Sequence, residues 1–313
     1  TTLPVSMDAT NNGLQILSLL MRDEVGAYDT NVMPTDLPQD IYGSVSDAVI
    51  NKIKQDIQAG HEFAKLWLDF GIDRKLAKRP TMVFPYGGTF YSCRKYVDEW
   101  YQDCLRKERK TNPFNEETRY RVTGYLARHV WDSIHEVLDK PTQCMEWLKS
   151  VADACTEHHA TIEWTTPTGF PVHQDYKSFS SQAVKSKISG KATWVKFRNH
   201  NERFCRRSMR NGISPNFVHS LDASLLTKSV IKANEQGIYD FAMIHDSFGT
   251  HTNNCDLFGT ILREQTKRIF SVDLLRDFRA GLLSANKGLQ LTEPPDYGNF
   301  DPSEVVHSKY FFS

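Results

Sequence analysis

Two short apolar runs near opposite ends of the chain each deliver an aspartate to a turn, and no other feature constrains the fold as strongly. Leu3 to Met7 ends at Asp8 and turns through Thr10-Asn11-Asn12-Gly13. Phe241-Ala242-Met243-Ile244 leads through His245-Asp246-Ser247 into Phe248-Gly249-Thr250. The first reads as a strand ending on a carboxylate and the second as two strands with an acid at or near the turn. Alone, an aspartate in a turn is explained by its own side-chain hydrogen bonding. If the two acids act as a pair, the fold must bring residues 8 and 246 together.

A third segment corroborates the pair. In Arg74-Lys75-Leu76-Ala77-Lys78-Arg79-Pro80-Thr81-Met82-Val83-Phe84-Pro85-Tyr86-Gly87-Gly88, residues Arg74, Lys78, Met82 and Tyr86 recur every four positions. On a helix this spacing lines two cations and a phenol along one face, suited to a triphosphate. A solvated basic turn is the competing reading of Arg74 or Lys78 taken singly. Pro85, one residue before Tyr86, predicts that the helix kinks or ends there.

Elsewhere the pattern is largely helical. Leu14, Leu17, Leu20 and Met21 predict one amphipathic helix, and Ile41, Val45, Val49, Ile53 and Ile57 predict another ending near Gly60. Arg119 to His159 reads as two helices broken at Pro141, and Ala160 to Tyr176 as a hairpin turning at Pro167-Thr168-Gly169. With 313 residues and 40% hydrophobic content, the chain can bury a sizeable core and is long enough for two lobes.

Overall charge is uninformative, because 38 Lys and Arg balance 38 Asp and Glu. Local charge is not. Lys185 to Arg210 holds nine Lys or Arg against one acid, Glu202, with Trp194, Phe197 and Phe204 interleaved. Clustered cations suit phosphates and aromatics suit bases, so Lys191, Trp194, Lys196, Arg198, Arg203, Arg206 and Arg207 are candidate nucleic-acid contacts. A solvated basic loop is the alternative. The six cysteines have no zinc spacing and read as reduced structural thiols. No run approaches the roughly 18 apolar residues of a membrane span, and the start lacks a secretory layout, so a cytoplasmic location is expected.

The three segments resemble motifs A, B and C of the polymerase group that holds the bacteriophage-type and mitochondrial RNA polymerases and the related repair DNA polymerases. Asp8 stands where motif A closes its strand, Arg74, Lys78 and Tyr86-Gly87 match motif B, and His245-Asp246 matches motif C. Likeness to the single-subunit RNA polymerase branch extends through Met21-Arg22-Asp23-Glu24-Val25-Gly26, Gln39-Asp40-Ile41-Tyr42-Gly43, Thr166-Pro167-Thr168-Gly169-Phe170-Pro171-Val172 and Pro215-Asn216-Phe217-Val218-His219-Ser220.

The resemblance implies a mixed α+β, helix-rich right-hand fold with a small antiparallel palm sheet and fingers, lacking thumb and amino-terminal domain. Palm is expected at residues 1–24 and 220–313 and fingers at 25–219, with a specificity-type hairpin near 177–210. Two Mg2+ ions are expected on Asp8, Asp246 and the Ala9 carbonyl, with His245 as a positioning residue. Arg74 and Lys78 would neutralise the triphosphate, Lys78 would protonate pyrophosphate, and Tyr86 and His219 would recognise the ribose 2′-hydroxyl. The related DNA polymerases carry a bulky Glu where this chain has Gly13, and His-Asp-Glu where it has His245-Asp246-Ser247, which implies ribonucleotides.

The implied partners are template DNA, RNA product, ribonucleoside triphosphates and a companion polypeptide supplying thumb and amino-terminal functions, in an infected bacterial cell if of phage origin. A cloned or proteolysed fragment would explain the missing part equally. Tyr310-Phe311-Phe312-Ser313 resembles the family's aromatic carboxy-terminus, tucked toward the active site. The rival functions are a repair-type DNA polymerase and a catalytically idle nucleic-acid-binding subunit.

Overall fold

The structure, a computed structural model, describes residues 3–108, 110–244 and 246–312. In chain order, β1 (Pro4–Asp8) is followed by α1 (Asn12–Met21), α2 (Glu24–Asp29), α3 (Ile41–Gln58), α4 (Ala64–Phe70) and α5 (Arg74–Val83). A 3-10 turn at Phe84–Tyr86 leads to α6 (Phe90–Arg106), α7 (Arg119–Val137) and α8 (Asp139–Glu157). Two hairpins follow, β2 (Ile162–Thr165) with β3 (Pro171–Gln174) and β4 (Lys177–Ile188) with β5 (Lys191–Phe204). Then come α9 (Arg206–Glu235), β6 (Ala242–Ile244), β7 (Ser247–His251), α10 (Cys255–Phe270) and α11 (Leu274–Ala285). The result is mixed helix with small antiparallel sheets.

The sheet that matters joins the two ends of the chain. Its order is β1-β7-β6, antiparallel throughout, with Asp8 opposite Ser247 and Pro4 opposite His251. The last residues reinforce it: Phe312 bridges antiparallel to Ala9, and the Phe311 carbonyl accepts from Gln15 Nε2 at 3.1 Å. Phe311 and Phe312 are buried, and Phe312 meets Phe248 of β7 edge-on at 5.0 Å. The aromatic end therefore closes over the strand that carries Asp8.

Directly after β1, Asn11 caps α1 by accepting from the Leu14 N–H at 3.2 Å, so the turn after Asp8 starts the helix as well. Every residue of α1 is buried, and it packs on α8 and α9. This corrects the amphipathic expectation: a helix enclosed by neighbours needs no polar face. α3 conforms to its apolar spacing and ends where Gly60 adopts a positive φ of 78°.

The break between α7 and α8 falls at Leu138 rather than Pro141. Pro141 sits in the first turn of α8, where its missing N–H costs nothing. All six cysteines are free, and burial pushes the Cys93 and Cys144 thiols up to about 12. Among the described residues, no helix is long and apolar enough to cross a membrane.

Candidate active site

Asp8 is the last residue of β1, and Asp246 lies in the turn between β6 and β7. Because Asp8 pairs with Ser247, the two acids occupy one corner of the sheet. Asp8 senses the charge of Asp246. Partial desolvation and then the charge of Asp246 raise the Asp8 carboxyl above its ordinary value, against the Ala9 N–H, which donates to Oδ1 at 3.1 Å. His245 lies outside the described residues.

Two hard carboxylates that repel one another form a donor set suited to a divalent cation such as Mg2+, and Ala9 follows Asp8 in the chain. Among the described residues, no group of three or more His, Cys, Asp or Glu side chains could hold a metal alone. The remaining ligands would be waters and substrate phosphates, which is how Mg2+ is usually held in phosphoryl-transfer sites.

Asp73 caps α5, its Oδ1 accepting from the Lys75 and Leu76 N–H groups and from Trp100 Nε1. Arg74, Lys78 and Met82 then lie exposed along one side of α5, as the four-residue spacing requires. Lys78 has no ion pair or side-chain hydrogen bond among the described residues. Arg74 pairs through Nε with Asp40 and lies 4.9 Å over the Tyr42 ring. The helix ends at Val83, and Pro85 falls in the 3-10 turn that carries Tyr86, so the predicted ending occurs.

Tyr86 reaches back to two distant segments. Its ring stacks on His219 of α9 with centroids 4.7 Å apart and planes 12° apart. Its hydroxyl lies against Gly13. A Cβ at Gly13 would come within 2.7 Å of Pro85 Cγ and 2.9 Å of Tyr86 Oη, so only glycine permits this approach. Burial, then the charges of Asp222 and Asp246, raise the phenol well above its ordinary range and keep it a neutral donor.

The structure thus gathers Gly13, Tyr86 and His219 from three segments of the chain. An open cleft of about 890 Å3 between the β2–β3 hairpin and α9 has His219 and Asn216 on its wall. Four residues of the arrangement carry no assigned role in the sequence reading. Asn12 Nδ2 donates to Asp222 Oδ1 at 2.7 Å, tying α1 to α9 behind Tyr86, while Asp40 and Tyr42 hold Arg74. Asp40 and Tyr42 lie in a segment noted for its resemblance, and Asp222 follows His219 by one helical turn; only those positions could have marked them.

The basic segment is a long hairpin. Ser189 and Gly190 both take positive φ at its tip, which suits a two-residue turn between twisted strands. Register separates its charges. Opposed residues point to the same face, so Lys187, Lys185, Trp194, Lys196 and Arg198 share one side, where Arg198 lies 4.7 Å over Phe179. From Thr193 to Asn199 the other side carries Thr193, Val195, Phe197 and Asn199 opposite Ser186, Val184, Gln182 and Ser180, none of them charged.

Lys191 lies at the tip and Arg203 near the base, both exposed. Arg206, Arg207 and Arg210 are on α9, not the hairpin. Arg206 is paired with Asp153 at 2.8 Å and Glu157 at 3.1 Å, and Arg210 with Asp153 and Glu146. Their charges are already matched by α8, whereas Arg207 is exposed.

Comparison with known proteins brings these segments under one heading. A match to the DNA-dependent RNA polymerase family covers residues 1–288. The mitochondrial DNA-directed RNA polymerase of Homo sapiens is 32% identical over 99% of this chain, which covers 26% of that protein. T7 RNA polymerase of Escherichia phage T7 is 28% identical over 100% of this chain and 40% of its own length. The DNA-directed RNA polymerase 2A of Nicotiana tabacum is 28% identical over 99% of this chain and 92% of its own length. The chain therefore spans about a quarter of the mitochondrial relative and two fifths of the phage relative.

Proposed function

Since the chain belongs to the DNA-dependent RNA polymerase family, we propose that it carries the site at which ribonucleotides are added to an RNA 3′-end on a DNA template. One observation carries the reading. A strand end and a hairpin turn more than 230 residues apart bring two carboxylates to one corner, beside a Tyr86 and His219 pair set against Gly13.

In this reading the 3′-hydroxyl attacks the α-phosphate in line and pyrophosphate leaves. Asp8, Asp246 and the Ala9 carbonyl would hold two Mg2+ ions, which when bound supply charge neutralisation for the attacking and leaving oxygens. Arg74 and Lys78 bind the β- and γ-phosphates from the exposed side of α5, and Lys78 gives its proton to the leaving pyrophosphate. The Tyr86 O–H donates to the sugar's 2′-hydroxyl. His219 holds the phenol by stacking and supplies a second polar group. With no side chain at Gly13, Tyr86 Oη stands where a Cβ would clash with it.

Residues 1–24 and 220–313 act as palm and 25–219 as fingers. The basic face of the β4–β5 hairpin contacts template DNA, with Lys191, Arg203 and Arg207 adding charge. A companion polypeptide draws no support, because the Homo sapiens and phage T7 relatives carry the matching region within longer single chains. The test is extension of an RNA primer annealed to template DNA, with ribonucleotides and deoxynucleotides in competition. Ribonucleotide-selective addition supports the reading; preference for deoxynucleotides moves it to the repair-type DNA polymerases, and binding without addition to an idle subunit.

A further inference from the structure

We infer that Asp40 and Tyr42 are positioning residues that fix the plane of Arg74, so that its free edge is presented to the nucleotide's phosphates. The inference rests on the polymerase reading, in which Arg74 meets the triphosphate. Asp40 is itself held in place: its Oδ1 caps α3 by accepting from the Tyr42 N–H at 3.2 Å. Its Oδ2 takes Arg74 Nε. Among the described residues no group pairs with the two terminal nitrogens, which leaves four N–H donors of the guanidinium unused.

Tyr42 supports the opposite surface of the same group. Its ring lies beneath the guanidinium, and its hydroxyl donates to the Thr10 carbonyl at 3.2 Å while accepting from Asn11 Nδ2 at 3.3 Å. Thr10 and Asn11 lie two and three residues after Asp8, so Arg74 is linked through Tyr42 to the loop of the first acid. The Tyr42 phenol senses the charges of both Arg74 and Asp246. A planar fork recognises phosphate only in the right orientation, and an arginine already ordered loses less freedom on binding. Lys78 presents a point charge on a flexible stem and needs no such support.

The test uses Asp40→Asn, which keeps an oxygen to cap α3 and removes the charge. Inorganic tripolyphosphate binding to the chain should weaken about tenfold, the scale of one charge-assisted hydrogen bond. In primer extension the ribonucleotide KM should rise about tenfold with kcat within about twofold. Adding Asp40→Asn to Arg74→Ala should then change neither quantity further, which a merely structural Asp40 would not produce. Unchanged tripolyphosphate binding in Asp40→Asn, or additive effects in the double variant, overturns the inference. Asp40-dependent binding by a chain that extends no primer would instead sink the polymerase reading and leave the phosphate site.

Discussion

At Tyr86 two contacts do separate work, because the ring stacks on His219 while the hydroxyl lies against Gly13. Tyr86→Phe keeps the ring and removes the hydroxyl, so selectivity for ribo- over deoxynucleotides should fall about tenfold or more while extension continues. Competition between the two nucleotide classes measures it. Asp8 offers a test of the acid pair. Removing a neighbouring negative charge favours ionisation, so Asp246→Asn should lower the Asp8 pKa toward its ordinary value, as read by carbon-detected NMR titration of the metal-free protein. In the unsubstituted protein, Asp8's stabilising contribution is present below its ordinary value and lost as pH rises through the raised one. The placement of Asp8 and Asp246 could be read from the sequence, since one closes a strand and the other lies in a hairpin turn. The four-residue spacing put Tyr86 on the face of Arg74 and Lys78, whereas the structure carries it past the end of α5 onto His219. Asp222 could not be read, because its partner Asn12 lies 210 residues away and no local pattern marks the pair.

Among the elements, the β4–β5 hairpin shows what only register supplies. Its cations are visible as a basic run, but their gathering on one face depends on which residues oppose which. Neutralising Lys185, Lys187, Lys196 and Arg198 together should weaken DNA binding and reduce the slope of log affinity against log salt by up to about four, one phosphate per cation. Substituting Val184 and Phe197 on the other face should leave that slope unchanged; titrations at several salt concentrations compare the two. Arg206 and Arg210 looked equivalent to the hairpin cations in the basic run, yet Asp153 and its neighbours on α8 neutralise them. Pro85 falls just past the end of α5, in the 3-10 turn, whereas Pro80 within α5 and Pro215 within α9 are accommodated, and Pro141 broke nothing because it fell in a first turn.

Over the whole molecule, the central fact is that the chain's beginning and end are one structure. β1 pairs with β7, and Phe312 bridges to Ala9 beside the first acid. The pairing follows from no local propensity; it was implied only by the need to bring two acids together. Phe312→Ala removes a buried ring packed on Phe248 and should destabilise the fold by about 3–5 kcal/mol, measured by denaturant unfolding. The measurement that bears most directly on the account is nucleotide addition to an RNA primer on template DNA with Mg2+, comparing the unsubstituted chain with Asp246→Ala. The account predicts loss of addition with primer-template binding retained. Addition at an undiminished rate by Asp246→Ala would contradict it, because no site built on Asp8 and Asp246 could work with one of them gone.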